Sequence, residues 1–298
     1  MKSLFGALRS YQTAASAPAL VAGALFTALL VFINYHFRVE PRITSLHVGW
    51  RLLAWFGVYA FAFWTAYGLS GLGIRKIPLT PALGVLLLVA PAFFALKIAL
   101  PLPVIESDYW HTIVYYPYKL LLVATLLYLV WKRYHSDEPF YGTGRSSFGM
   151  KPYIGMLLFM LPLIALASAQ KDFLAMYPKW QHIDAVRASG PNGQLLYELS
   201  YGSDFITIEL FFRGFLIIAF ARYVGAAAVL PMAVFYCTIH FGKPLGECIS
   251  SFFGGLLLGA VTLHTRSIWG GLMVHLGIAW LMELGGALGH QLRPELFY

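Results

Sequence analysis

Charged side chains are scarce in this chain. Only 11% of its 298 residues are Asp, Glu, Lys or Arg, whereas 59% are hydrophobic and the mean hydropathy is +0.69. An ordinary soluble domain carries about twice that share of charged residues, roughly 25%. The scarcity of charge therefore excludes a typical soluble domain and indicates a protein built for a lipid bilayer.

Cysteines and basic runs are also few. Cys237 and Cys248 are the only cysteines, and their spacing fits neither a metal site nor a disulfide framework. The net charge is +8, but no basic run exceeds two residues, so the sequence gives no sign of a nucleic-acid partner. Basic residues that are scattered among apolar segments are typical of loops that anchor membrane helices.

Long apolar segments are abundant. A membrane-spanning helix needs about 20 mainly apolar residues, and the sequence predicts an all-α, polytopic membrane protein with eight or nine such helices. The short connections between them favour a prokaryotic cytoplasmic membrane. The predicted spans lie near residues 18–35, 50–72, 82–104, 110–131, 153–170, 204–222, 224–241, 249–264 and 267–289.

One long polar connection divides the chain. It covers about residues 171–203, contains the turn signal GPNG at 190–193, and is rich in Trp and Tyr, which favour the membrane interface. We therefore expect N-terminal transmembrane helices in 1–170, an interfacial helix or lid in 171–203, and a bundle that carries the chemistry in 204–298.

The segment FITIELFFRGFLIIAF at 205–220 places two charges in an apolar stretch. Glu209 and Arg213 are four residues apart and share one helical face. A charge near the bilayer centre costs about 2.5–3.5 kcal/mol on insertion scales, so such residues usually face the interior of a bundle or a water-filled cavity. The pair indicates either a buried reaction site or a structural ion pair.

Further ionisable residues follow in the last three predicted spans and in the turn after the first of these. His240 ends one span, and Glu247 comes after the turn FGKPLG, which is able to re-enter toward the membrane interior. In the last span His275, Ala279 and Glu283 repeat every four residues and form one stripe. Glu247 is also four residues from Lys243, so a simple ion pair is an alternative for it, and Glu283 is equally compatible with an interfacial position.

Three segments resemble the motifs of the CPBP family of CAAX prenyl proteases and bacteriocin-processing or self-immunity membrane proteins. They are IELFFRGFL at 208–216, FYCTIH at 235–240, and GGLLLGAVTLHTRSIWGGLMVHLGIAW at 254–280. The resemblance covers about residues 205–283. It implies an intramembrane endopeptidase that acts on a membrane-associated or lipidated protein or peptide.

The resemblance also assigns roles. In the family a first Glu activates water with a motif histidine, a second Glu pairs with the Arg, and the last His with an Asn stabilises the oxyanion. Carried over to matching positions, it keeps Glu209, Arg213, Tyr236, His240 and His275. Two positions depart from the pattern: Ile208 stands where the first Glu is expected, and Ala279 stands where the Asn is expected.

The departures leave the identity of the base open. Glu247 and Glu283 are further carboxylates on segments that carry motif histidines, and a glutamate shielded from water near a histidine suits a general base. We expect His240 and a glutamate to activate water, and His275 to donate to the oxyanion. This mechanism needs no cofactor.

Three alternatives stay open at this stage. Two histidines and two carboxylates are also able to bind zinc, although no HExxH helix is present. Loss of the first Glu and the Asn is what a catalytically inactive scaffold, immunity factor or maturation partner would show. A transporter would carry broken helices in both halves, a pattern that the first half lacks.

Overall fold

The computed structural model describes residues 4–72, 80–144 and 149–292. Within these ranges the chain is helical with connecting turns and contains no strand. This confirms the predicted all-α class. The helices of ten or more residues are α1 Leu4–Ala14, α2 Ala17–Phe37, α3 Val48–Ser70, α4 Pro81–Ala99, α5 Asp108–Tyr134, α6 Lys151–Ala167, α7 Gly190–Glu209, a π-helix Leu210–Ala219, α8 Val229–Thr238, α9 Leu245–Thr265 and α10 Trp269–Leu292.

Short helices fill the connections. Short α-helices of four to six residues lie at Val39–Thr44, Lys171–Leu174, Asp184–Arg187 and Ala221–Val224, and 3₁₀ turns lie at Phe140–Gly142, Lys179–His182 and Gly225–Ala228. The polar connection predicted at 171–203 is therefore largely helical. The GPNG segment, predicted as a turn, instead forms the start of α7. Pro191 fits there because the first turn of a helix does not use its backbone N–H groups.

Seven helical segments of the described chain are long and apolar enough to cross a membrane. The expected eight or nine exceeds this number for two reasons. Helix α6 has only 17 residues, and the two spans predicted at 204–222 and 224–241 belong to one continuous apolar run, Gly190–Thr238. The protein is a polytopic integral membrane protein.

The run Gly190–Thr238 reverses direction at Gly225. That residue has φ +58° and ψ −134°, a conformation that favours glycine. On either side of it, Phe212 and Tyr236 come into contact with ring centroids 5.1 Å apart. The π-helix and α8 therefore form a tight helical hairpin.

The chain divides into two compact units, each assembled from three stretches of sequence. Unit 1 comprises Met1–Pro101, Leu122–Phe148 and Glu209–Ile268, and unit 2 comprises Leu102–Leu121, Gly149–Ile208 and Trp269–Tyr298. Of the basic residues that the sequence scatters beside its apolar segments, Lys2, Arg75, Lys76, Arg145 and Arg293 lie outside the described residues.

Unit 1 has α8 at its centre. This helix is buried along its whole length and packs against α3 and α9, and α3 in turn packs against α2 and α4. An aromatic core fills the space between them, with Phe235 lying against Tyr59, Phe63 and Phe94 at centroid distances of 5.0–5.9 Å. Large rings of this kind bury much apolar area and prefer such edge and tilted contacts.

In unit 2, α6 packs against α10. The part of α7 that belongs to this unit contributes aromatic side chains to a buried cluster. Tyr197, Tyr201 and Phe205 recur every four residues along α7, and with Ile113 and Ala279 they form one buried cluster. The spacing of four places the three rings on one face of the helix.

Candidate functional site

Glu209 and Arg213 stand at the junction of α7 and the π-helix. Both side chains are completely buried, and Nη1 of Arg213 lies 3.4 Å from Oε1 of Glu209. Glu209 ends the α-helix, and Arg213 lies in the first turn of the wider π-helix, a feature that often marks functional sites. The buried charges thus compensate each other inside unit 1.

Tyr236 on α8 supports the other side of the arginine. The guanidinium carbon of Arg213 lies 4.3 Å from the centroid of the Tyr236 ring, within the range of a cation–π contact. Phe212 and Phe235 pack nearby with centroids 5.3 Å apart. The cation is therefore held between a carboxylate and an aromatic face, in surroundings that strengthen electrostatic interactions.

His240 lies just beyond the end of α8, in a turn, and is partly buried. Its Nδ1 is 2.8 Å from the backbone oxygen of Tyr236, and the two rings are in contact with centroids 4.7 Å apart. A carbonyl oxygen only accepts hydrogen bonds, so Nδ1 is the donor and, in the neutral imidazole, Nε2 keeps the lone pair. This is the arrangement that a proton-accepting histidine requires.

Glu247 lies in the first turn of α9. Its Oε1 is 3.5 Å from Nζ of Lys243, and both side chains are largely buried. The ion pair that the spacing of four allowed is therefore present. The turn between His240 and α9 is also tied to α2, because Tyr35 Oη donates to the backbone oxygen of Lys243.

The two cysteines approach each other beside this turn. Both are free and buried, and their sulfur atoms are 3.9 Å apart across α8 and α9. They pack α8 against α9, next to the turn that contains His240.

The remaining predicted site residues belong to unit 2. His275 contacts the ring of Phe205 at a centroid distance of 4.7 Å. Glu283 is 6% exposed, and its Oε2 accepts a hydrogen bond of 2.8 Å from the backbone N–H of Lys179. Ala279, between them on α10, packs in the tyrosine cluster and is 5% exposed.

The structure thus joins four of the predicted residues in one chain of contacts within unit 1: Glu209, Arg213, Tyr236 and His240. Sequence reasoning missed Tyr35, which fixes the turn after His240 from 208 residues away and left no local signal. Among the described residues, no group of three His, Cys, Asp or Glu side chains converges as a metal site requires.

These features define a class: an all-α integral membrane protein with a compensated ion pair and a histidine held inside one helical unit. Residues 203–281 match the family model Rce1-like, described as type II CAAX prenyl endopeptidase Rce1-like. The match contains all three motifs, from Glu209 to His275, and confirms the resemblance of this segment to the CPBP family. The search of curated proteins and the search of solved structures each returned no match.

Proposed function

We propose that the protein is an intramembrane endopeptidase of the CPBP type, which hydrolyses a peptide bond of a membrane-associated or lipidated protein. The observation that carries the proposal is the contact chain from Glu209 to His240 in unit 1. Burying a charged pair in an apolar bundle costs free energy, so ionisable residues inside a membrane usually mark a functional site. The family match to residues 203–281 supports the reaction class.

In the proposed reaction, Nε2 of His240 accepts a proton as a water oxygen bonds to the substrate carbonyl carbon. The carbon–nitrogen bond then breaks, and the departing amine receives the proton. A glutamate raises the basicity of the histidine or holds the water, and no covalent intermediate forms. Glu209 and Glu247 are the candidates on unit 1, and His275 stays our prediction for the oxyanion donor.

Arg213 and Tyr236 have a positioning role in this proposal. Tyr236 offers its backbone oxygen to His240 and its ring to Arg213. Arg213 balances the charge of Glu209. Glu283 is bound to the Lys179 backbone, which favours a structural role for it. The short connections favour a prokaryotic cytoplasmic membrane as the location.

The experiment that tests the proposal is cleavage of a membrane-peptide library by the purified protein in lipid. We expect His240→Ala to lower the cleavage rate by about 10²–10⁴-fold, the usual contribution of a general base. His47→Ala, which changes an exposed histidine at the start of α3, is the matched control and should cleave like the wild type. Equal cleavage by His240→Ala and wild type would refute the assignment.

Two further variants identify the carboxylate. Glu209→Gln and Glu247→Gln each keep the size of the side chain and remove its charge. Cleavage is compared at a temperature at which both variants remain folded, and the variant that still loses cleavage there marks the glutamate that acts with His240. Inhibition by a chelator, reversed by added zinc, would favour the metal-dependent mechanism.

A catalytically inactive scaffold, immunity or maturation factor is the second candidate function. The observation that favours it is the apolar packing at the two departing positions: Ile208 is 7% exposed, and Ala279 is buried among Tyr197, Tyr201 and Phe205. Absence of cleavage across a broad library, together with capture of a stable membrane partner, would support this function instead.

A further inference from the structure

Unit 2 contains an open groove of about 430 Å³ that the proposed chemistry does not use. Its walls include two carboxylates, Glu198 from α7 and Glu283 from α10, and two indole rings, Trp180 and Trp280. The described residues that line it include no basic side chain. The groove thus combines negative charge with aromatic faces.

The carboxylate of Glu198 is poorly satisfied. Both of its oxygens are buried, and neither has a hydrogen-bond partner among the described residues. The charge of Lys179 acts on this carboxylate without forming a hydrogen bond to either oxygen, and burial of an incompletely paired charge is costly. A cation that entered the groove would lower this cost by supplying N–H donors and opposite charge to the same atoms.

Unit 2 already contains one cation in contact with an aromatic ring. The ammonium of Lys179 lies 4.1 Å from the centroid of the Tyr201 ring, and the backbone N–H of the same residue binds Glu283. Trp is the aromatic side chain that attracts cations most strongly. The Trp180 and Trp280 rings therefore suit a second cation next to Glu198.

The residues at the rim of the groove indicate which kind of molecule would bring the cation. Leu195, Leu199 and Leu284 line it and are each more than half exposed, so an occupant needs apolar groups beside its charge. A zwitterionic lipid head would also bring a phosphate toward the two carboxylates, which repel it. A lysine or arginine side chain within an otherwise apolar peptide segment brings no such anion.

We propose that this groove binds a lysine or arginine side chain of the substrate, next to the apolar segment that lies in the membrane. The inference rests on the proposed function, because it names a feature of the same protease's substrate. Glu198 supplies the counter-charge, the two indole rings contact the cation, and the leucines contact the flanking apolar residues.

The test is binding of labelled peptides to the full-length protein in lipid nanodiscs, measured by fluorescence anisotropy. The peptides share one apolar segment and differ by a single lysine or its uncharged analogue norleucine, moved one residue at a time across the end of that segment. We expect at least one lysine register to bind wild type about tenfold tighter than its norleucine partner, as one charge-assisted contact provides.

Glu198→Gln should bring the ratio between lysine and norleucine close to one. Glu106→Gln is the matched control, because it removes an exposed carboxylate from the same unit, and should keep the full ratio. If Glu198→Gln proves unstable by its melting temperature, Trp280→Leu gives the second reading and should lower the ratio several-fold.

Equal binding of lysine and norleucine peptides in every register, or a ratio that survives both groove variants, would overturn the inference. Binding that depends on the ethanolamine lipid content of the disc and not on lysine would overturn it in favour of a lipid site. Because binding is measured without cleavage, failure here leaves the protease test unaffected. A lysine preference in a protein that cleaves nothing would contradict only the proposed reaction.

Discussion

At the scale of single residues, Arg213 shows how the bundle tolerates a full charge. One nitrogen of the guanidinium faces the Glu209 carboxylate, and its plane lies near the Tyr236 ring. None of these side chains is more than 5% exposed. Because both groups are buried away from solvent, each charge depends on the other for its stabilisation.

Removing one charge of this pair should therefore be worse than removing both. We expect Glu209→Gln or Arg213→Met to destabilise the protein by about 3–5 kcal/mol, because each leaves an uncompensated buried charge. The double variant should lose clearly less than the sum of the single effects. Melting temperatures in detergent for the four proteins of the cycle measure this, and strictly additive losses would show that the two charges do not interact.

Much of the candidate site is readable from sequence, for a physical reason. The spacing of four already pairs Glu209 with Arg213, and the family resemblance singles out Tyr236 and His240, which the hairpin then brings next to that pair. Tyr35 and the groove residue Glu198 were not foreseen as parts of a site. Their significance depends on contacts between segments distant in sequence, which no helical period encodes.

At the scale of elements, the π-helix and the turn Phe140–Gly142 form one packed feature of unit 1. Gly214 in the motif word RGF lies against this turn: a Cβ atom there would come within 2.7 Å of the backbone oxygen of Tyr141. The glycine allows the turn to approach the π-helix directly after Arg213.

Gly214→Ala should accordingly destabilise the protein by about 1–3 kcal/mol, as overpacked cores do. Gly57→Ala in α3 is the matched control, because a Cβ there meets nothing within 4 Å. That change should be neutral or stabilising by up to about 1 kcal/mol through helix propensity. Thermal unfolding in detergent compares them, and the same melting temperature for both variants would contradict the role of Gly214.

Element boundaries show where sequence reasoning succeeds and where it stops. The span predicted at 18–35 is α2, Ala17–Phe37, and the span predicted at 249–264 is α9, Leu245–Thr265. Membrane thickness fixes such lengths, so apolar runs reveal them. The π-helix was not foreseen, because in the stretch LFFRGFLIIA every residue but Arg213 is apolar or glycine, and such a stretch offers no period from which a wider turn would be recognised.

His135, just after α5, gives unit 1 a pH-sensitive contact. It is 2% exposed, and its ring nitrogens lie 3.0 Å and 3.2 Å from the hydroxyls of Tyr141 and Tyr223. Burial, assisted by the charge of Arg222, lowers the pKa of His135 to about 4, against the opposing effect of two nearby acidic residues. The folded protein therefore keeps this imidazole neutral.

Stability should fall as the pH drops below about 6.5, the ordinary pKa of histidine, because the unfolded chain then takes up a proton that the folded chain refuses. We expect the melting temperature to decrease between pH 7.5 and pH 5, and to decrease less in His135→Asn. Asp137 does not contribute to the change in stability over this pH range, because its hydrogen bond to Arg222 lowers its pKa below the usual carboxyl range. An identical decrease in the variant would show that other groups cause it.

At the scale of the whole molecule, the bilayer replaces water as the solvent of most helices. Large apolar side chains are exposed on these helices, among them Leu25 on α2, which is 68% exposed. Thr27 on the same helix is buried, and its hydroxyl donates to the backbone oxygen of Gly23. The exposed apolar side chain of Leu25 and the paired hydroxyl of Thr27 both fit the requirement that polar groups be paired within lipid.

An arginine side chain should therefore be tolerated inside the bundle and disruptive on its lipid-facing surface. Arg213 is held by Glu209 and Tyr236, whereas Leu25→Arg would place a guanidinium among acyl chains near the middle of α2. We expect that substitution to lower membrane insertion by about 2.5–3.5 kcal/mol, and Leu25→Phe to be nearly neutral. Insertion efficiency of α2 in a glycosylation assay measures both. Normal insertion and stability of Leu25→Arg would mean that this face of α2 meets a polar partner rather than lipid.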